Sequence, residues 1–156
     1  MGNNTTGQSN VAMGYRALQD NISLNDNVAI GYQALQAQTI DGQGRNVAVG
    51  WNCMMENKAG ENNTAIGAQS LDSCVNGKRN VAVGSNSSHA LTSGARNVAI
   101  GFGSAKDLAT GSNNIYIGTD SQASDGGNDA NSPHNEIVIG VGVQGKGTNT
   151  VVIGNA

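Results

Sequence analysis

Proline appears once in this 156-residue chain, aromatic residues five times and cysteine twice, and charged residues make up only 12%. Each scarcity excludes something. With a net charge of −3 the chain lacks the basic stripe of a nucleic-acid binder, and no nucleic-acid partner is expected. No apolar run approaches the ~20 residues of a membrane span, so direct membrane insertion is not expected. The polar opening from Gly2 to Asn10 has no hydrophobic segment of a secretion signal. Cys53 and Cys74 fall at unrelated places and make no disulfide framework. Leu, Ile, Val and Phe together number only 30, a poverty that ordinarily means disorder, yet disorder also wants high net charge. So few apolar residues can hold a fold only if they recur at fixed places and stack.

They do recur. The phrase Asn-Val-Ala-Ile-Gly returns with its glycine at Gly14, Gly31, Gly50, Gly67, Gly84, Gly101, Gly118, Gly140 and Gly154, at intervals of 17, 19, 17, 17, 17, 17, 22 and 14. Such a period is the mark of a solenoid. Before each glycine stands a large–small–large triplet, as in Val28-Ala29-Ile30, which reads as a short strand of period two. A second glycine, at Gly7, Gly60, Gly77, Gly94 and Gly111, falls where a corner with positive φ is expected. Each coil thus reads as strand, turn, short second strand, turn. The fold expected is an all-β parallel β-solenoid of about nine coils. It forms a single domain over residues 1–156, with the longer interval thrown out sideways as an insertion at 120–135.

Two columns follow from the register. Asn10, Asn27, Asn46, Asn63, Asn80, Asn97 and Asn114 stand one per coil, in position to stack their amides and satisfy corner backbone. Ala12, Ala29, Ala48, Ala65, Ala82 and Ala99 form the small face of the strands. A 17-residue coil has little to bury against the entropy of ordering it, so another surface must be covered. The flat alanine face is the expected seam between identical chains.

These repeats resemble the heads of trimeric autotransporter adhesins, and still more the related repeats of phage tail fibres and bacterial surface fibres. Gly31-Tyr32-Gln33-Ala34-Leu35 and Gly60-Glu61-Asn62-Asn63-Thr64-Ala65-Ile66-Gly67 carry the likeness, which covers essentially the whole chain. The resemblance implies a left-handed parallel β-roll, a homotrimer, an extracellular place on a cell surface or virion tail fibre, and attachment as the role. The chain starts and stops mid-pattern, as a segment of a longer fibre would.

Nothing in the sequence points to an enzyme or a cofactor: His89 and His134 have no nucleophile or metal partner at a recurring spacing, and no phosphate-binding loop occurs. Candidate binding residues belong to two groups. Tyr15, Tyr32 and Trp51 share the position after the strand-ending glycine and are expected to stack, as a seam cover or a sugar platform. Asp120, Asp125, Asp129 and His134 lie in the long interval, where an exposed loop on a rigid scaffold could bind a partner. The function expected is structural and attachment display in a trimeric fibre. The alternative is a carbohydrate-binding module using the aromatic ladder or the 120–135 loop, with a surface glycan or cell-envelope receptor as partner.

Overall fold

The computed structural model describes residues 2–39, 43–124 and 132–154. Every β-branched triplet of the sequence is a three-residue strand: β1 Val11–Met13, β2 Val28–Ile30, β3 Val47–Val49, β4 Thr64–Ile66, β5 Val81–Val83, β6 Val98–Ile100, β7 Ile115–Ile117, β8 Ile137–Ile139 and β9 Val151–Ile153. They form one parallel sheet in chain order, with equal residues paired: Val11 to Val28, Val28 to Val47, and so on to Val151. The architecture is an all-β parallel β-solenoid of about eight turns and about 17 residues per turn. No helix occurs among the described residues. Below, coil 1 starts at β1, coil 2 at β2 and so on, and positions within a coil are counted from the glycine that ends its strand.

The remainder of each coil is not a second strand. Positive φ recurs at the second and fourth residues after the glycine, as at Gln69 (55°) and Leu71 (50°), and again just before each column asparagine, as at Arg79 (59°). Left-handed residues placed so closely turn the chain repeatedly and break the alternation that a strand needs. Coils still bond to one another there, as Leu18 N donating to Ala34 O (3.0 Å) and Leu35 N to Cys53 O (3.0 Å) illustrate.

The two kinds of glycine serve different needs. At Gly67 φ is 133°, and an added Cβ would meet the Gly84 carbonyl at 2.5 Å, so both conformation and space exclude a side chain. The second glycine, expected to need positive φ, does not have it at Gly7, Gly60, Gly77, Gly94 or Gly111. Space is the reason there. A Cβ at Gly94 would lie 2.1 Å from the Gly111 carbonyl and 2.6 Å from Leu91 Cδ1.

The alanine column is the main correction. Ala29, Ala48, Ala65, Ala82 and Ala99 are fully buried within the single chain, and Ala12 is half-buried at its end. They face Leu18, Leu35, Met54 and Leu71 across the narrow interior. An alanine face turned inward cannot be a seam between chains. The bulky strand residues point outward instead, with Ile66 42% and Ile100 40% exposed.

The proposed lateral insertion also shrinks. Asp120–Ser124 and Ser132–Asn135 belong to the coil: Gln122 pairs with Gln144, Ser112 pairs with His134, and Asn135 N donates to Ser112 O at 3.1 Å. Residues 125–131, which hold the surplus over the repeat, lie outside the described residues.

Candidate functional site

The asparagine column is an interior scaffold. Each Oδ1 accepts from the backbone N of the next column residue, as Asn80 N to Asn63 Oδ1 (3.0 Å) and Asn97 N to Asn80 Oδ1 (3.0 Å). Each Nδ2 in the middle coils donates to the second-glycine carbonyl, as Asn80 Nδ2 to Gly94 O (2.8 Å). Asn46, Asn63 and Asn97 repeat these bonds, Asn114 Nδ2 donates instead to Pro133 O (2.8 Å), and Asn10 and Asn27 begin the ladder. From Asn27 to Asn114 the column is buried, so its amides are spent on the fold and do not face a ligand.

Sequence reasoning overlooked the residue that ends this column. Glu136 takes the asparagine place, its N donating to Asn114 Oδ1 (2.8 Å). Its carboxylate crosses the smaller coil 8, accepting from Tyr116 OH (2.8 Å) and Gly147 N (2.7 Å). Burial first, and the Glu136 carboxylate second, push the Tyr116 hydroxyl well above the ordinary tyrosine range. The signal was available: Tyr116 replaces the column alanine in the coil immediately before Glu136 replaces the column asparagine. The thiols are likewise interior. Cys53 and Cys74 are free and buried, and burial pushes them up to about 12 and about 11, far from the thiolate that reactivity requires.

The aromatic ladder is shorter than its spacing suggested. Tyr15 and Tyr32 stack with centroids 5.2 Å apart and planes at 20°, and the Arg16 guanidinium lies 5.2 Å from the Tyr15 centroid. Trp51 is 49% exposed and joins no ring pair among the described residues. The backbone register is unbroken there, Asn52 N donating to Tyr32 O at 2.9 Å, so the indole departs through its side chain. Tyr15 shares its ring with Tyr32 and the Arg16 cation and is still 60% exposed.

Of the loop group, Asp125 and Asp129 lie outside the described residues. His134 is exposed but held, its Nδ1 accepting from Ser112 N (3.2 Å) and its N donating to Thr148 Oγ1 (3.1 Å). Asp120 lies elsewhere, at the second position of coil 7, with its backbone N bonded to Phe102 O (2.8 Å). Among the described residues no cluster of His, Cys, Asp or Glu could hold a metal.

Asp120 does border a cavity of about 310 Å³ on the flank of coils 5 to 7, lined also by Asn86, His89, Phe102, Gly103 and Lys106. One of its lining residues breaks a column. The second position of the coils reads Arg16, Gln33, Asn52, Gln69, Asn86, then Gly103, then Asp120. All share positive φ, near 50–60°, so Gly103 is not needed for conformation alone. What it removes is the side chain, and a Cβ there would stand 2.4 Å from Asp120 Oδ1. Compared with protein-family models, curated proteins and solved structures, the chain matches none. Function must therefore be argued from the faces of the coil.

Proposed function

We propose that this chain is a structural and attachment segment of a homotrimeric surface fibre or adhesin, displayed outside a cell or on a virion and acting by multivalent display. The observation that carries the reading is the outward face of the sheet. Val and Ile recur on the outward face of all nine strands, exposed at Val11 (51%), Ile66 (42%), Ile100 (40%), Ile117 (37%) and Val151 (63%) and half-buried on β2, β3, β5 and β8. Soluble monomers rarely leave so long an apolar surface uncovered. Identical coils in register offer a matching stripe on every copy, which suits closed association of like chains. The seam proposed is thus the Val/Ile face, not the alanine face. Three copies, a left-handed course and an extracellular setting follow from the likeness of the repeats to adhesin heads and tail fibres.

Light scattering of the purified chain should give about three times its 15.8 kDa mass, and Ile66→Lys with Ile100→Lys should lower that mass while the far-ultraviolet circular dichroism of the coils persists. A wild-type monomer at micromolar concentration would sink the reading.

A further inference from the structure

We infer that the cavity flanking coils 5 to 7 is a carbohydrate-binding notch, with the Phe102 ring as its platform. It is a different place from the tyrosine pair and from the 125–131 stretch, and no strand residue lines it.

Phe102 is 55% exposed. Its neighbours at the same position in adjoining coils are Ser85 and Thr119, both small, so no ring or long chain of its own column covers it. Beside the ring, Gly103 carries no side chain, and the Asp120 carboxylate of the next coil leans into the place a side chain would take. Asn86 lines the notch from the coil before. His89, Lys106 and Asp107 also line it. The lining thus combines an exposed ring with an ammonium, an imidazole, an amide and two carboxylates. A phosphate or a nucleic acid would meet Asp107 and Asp120, and an apolar ligand would cover polar groups without offering them partners. A sugar ring suits both features: its C–H face lies on an aromatic ring, and its hydroxyls donate to carboxylates and accept from amide and ammonium groups. At about 310 Å³ the notch is at the small end of the ~300–1,000 Å³ usual for small-molecule sites, the scale of a mono- or disaccharide.

The test is a nuclear magnetic resonance titration of the ¹⁵N-labelled chain. The probes are the methyl glycosides of glucose, galactose, mannose and N-acetylglucosamine, together with cellobiose and lactose. At least one probe should shift the amides of Asn86, His89, Phe102, Gly103, Lys106 and Asp120. Phe102→Ser, which copies Ser85 of the preceding coil, should weaken that binding about tenfold or more. Gly103→Asn, which copies Asn86, should push the Asp120 carboxylate out of its place and do the same; should it fail to fold, Asp120→Ala replaces it. Tyr15→Ser and Tyr32→Ser should leave binding unchanged. The proposal is overturned if no probe moves these amides, if Phe102→Ser binds as the parent does, or if the shifts follow the tyrosine pair. The mass of the same sample is read in parallel, so a chain that binds as a monomer sinks the assembly reading and leaves the notch standing.

Discussion

Coils 1 to 3 and coils 5 to 6 fill the same interior with opposite arrangements. In the first group the fourth residue after the glycine is large (Leu18, Leu35, Met54) and the seventh is an amide (Asn21, Gln38, Asn57). In the second the fourth is small (Ser88, Ala105) and the seventh is leucine (Leu91, Leu108). Coil 4, with Leu71 and Cys74, stands between them. All of these side chains are buried. The amides of the first group cap their own turns: Asn57 Oδ1 accepts from Gly60 N (2.6 Å), and Asn21 Oδ1 from Leu24 N (3.1 Å). Gln38 is the exception, with neither end of its amide bonded. In the second group Leu91 and Leu108 fill the same space against Gly94 and Gly111. The lesson is that the glycines and the asparagine ladder define the cross-section. The apolar volume may then enter from either side, provided the sum is kept.

The alanine column, common to both groups, is where that sum is least negotiable. Ala82→Tyr should prevent the chain from folding, because each coil offers no room beyond the alanine; overpacking of even modest size costs ~1–3 kcal/mol, and a phenol ring exceeds that. Tyr116 shows what the substitution requires, since Ala105 in the coil before it is small and Glu136 accepts from its hydroxyl. A loss of the β-sheet circular dichroism signal at every temperature is expected. A folded Ala82→Tyr variant that had merely lost its partners would return the alanine face to the role of a seam.

A transplant between the two groups has a smaller and more instructive effect. Leu91→Asn alone should cost ~3 kcal/mol, from lost apolar volume and a buried amide. Adding Ser88→Leu gives coil 5 the pattern of coils 1 and 2, and the new amide would face Gly94 N as Asn57 faces Gly60 N. The pair should therefore recover about half the loss or more, a coupling that a denaturant double-mutant cycle measures. Strict additivity would mean that the two arrangements are not interchangeable.

How much of this was open to a reader of the sequence depended on whether a feature repeats. Strand positions, pairing register and the asparagine column repeat with the coil, so Val11 over Val28 and Asn63 over Asn80 follow from spacing. Which face of the strand points inward does not follow. A triplet such as Val81-Ala82-Val83 looks the same whether the small residue meets another chain or the far wall of its own coil, and only the narrowness of the coil, with Leu71 in the same core as the alanines, decides it. The extent of the long interval was overdrawn because length shows that residues are surplus without showing which ones; Ser132 to Asn135 carry ladder bonds. The place of the notch was marked by Gly103, which breaks a column of longer side chains. It is easily passed over in a chain with 23 glycines, most of which serve the backbone.

The smallest effect is expected where the two core arrangements meet. Asp72 of coil 4 lies beside His89 of coil 5, with Oδ2 to Nε2 at 3.7 Å, and its Oδ1 is buried without a hydrogen bond. Burial raises the pKa of this carboxyl above the ordinary aspartate value; His89 opposes the rise and Glu56 adds to it. The sign follows from linkage. The folded chain holds the Asp72 proton more tightly than the unfolded chain, so this group favours folding at low pH. That contribution is lost as pH rises from about 4 through the higher folded value. At neutral pH the ionised Asp72 is a burden that Asp72→Asn removes. The variant should melt a few degrees higher than the parent at neutral pH, and the two should converge toward about pH 4. His89→Gln should act in the opposite sense at neutral and mildly acid pH, since it deletes the group that favours the carboxylate. Melting curves of the three chains across that range separate the alternatives. If Asp72→Asn melts lower than the parent at neutral pH, the pair with His89 outweighs the desolvation of Asp72, and the junction of the two halves is held by charge.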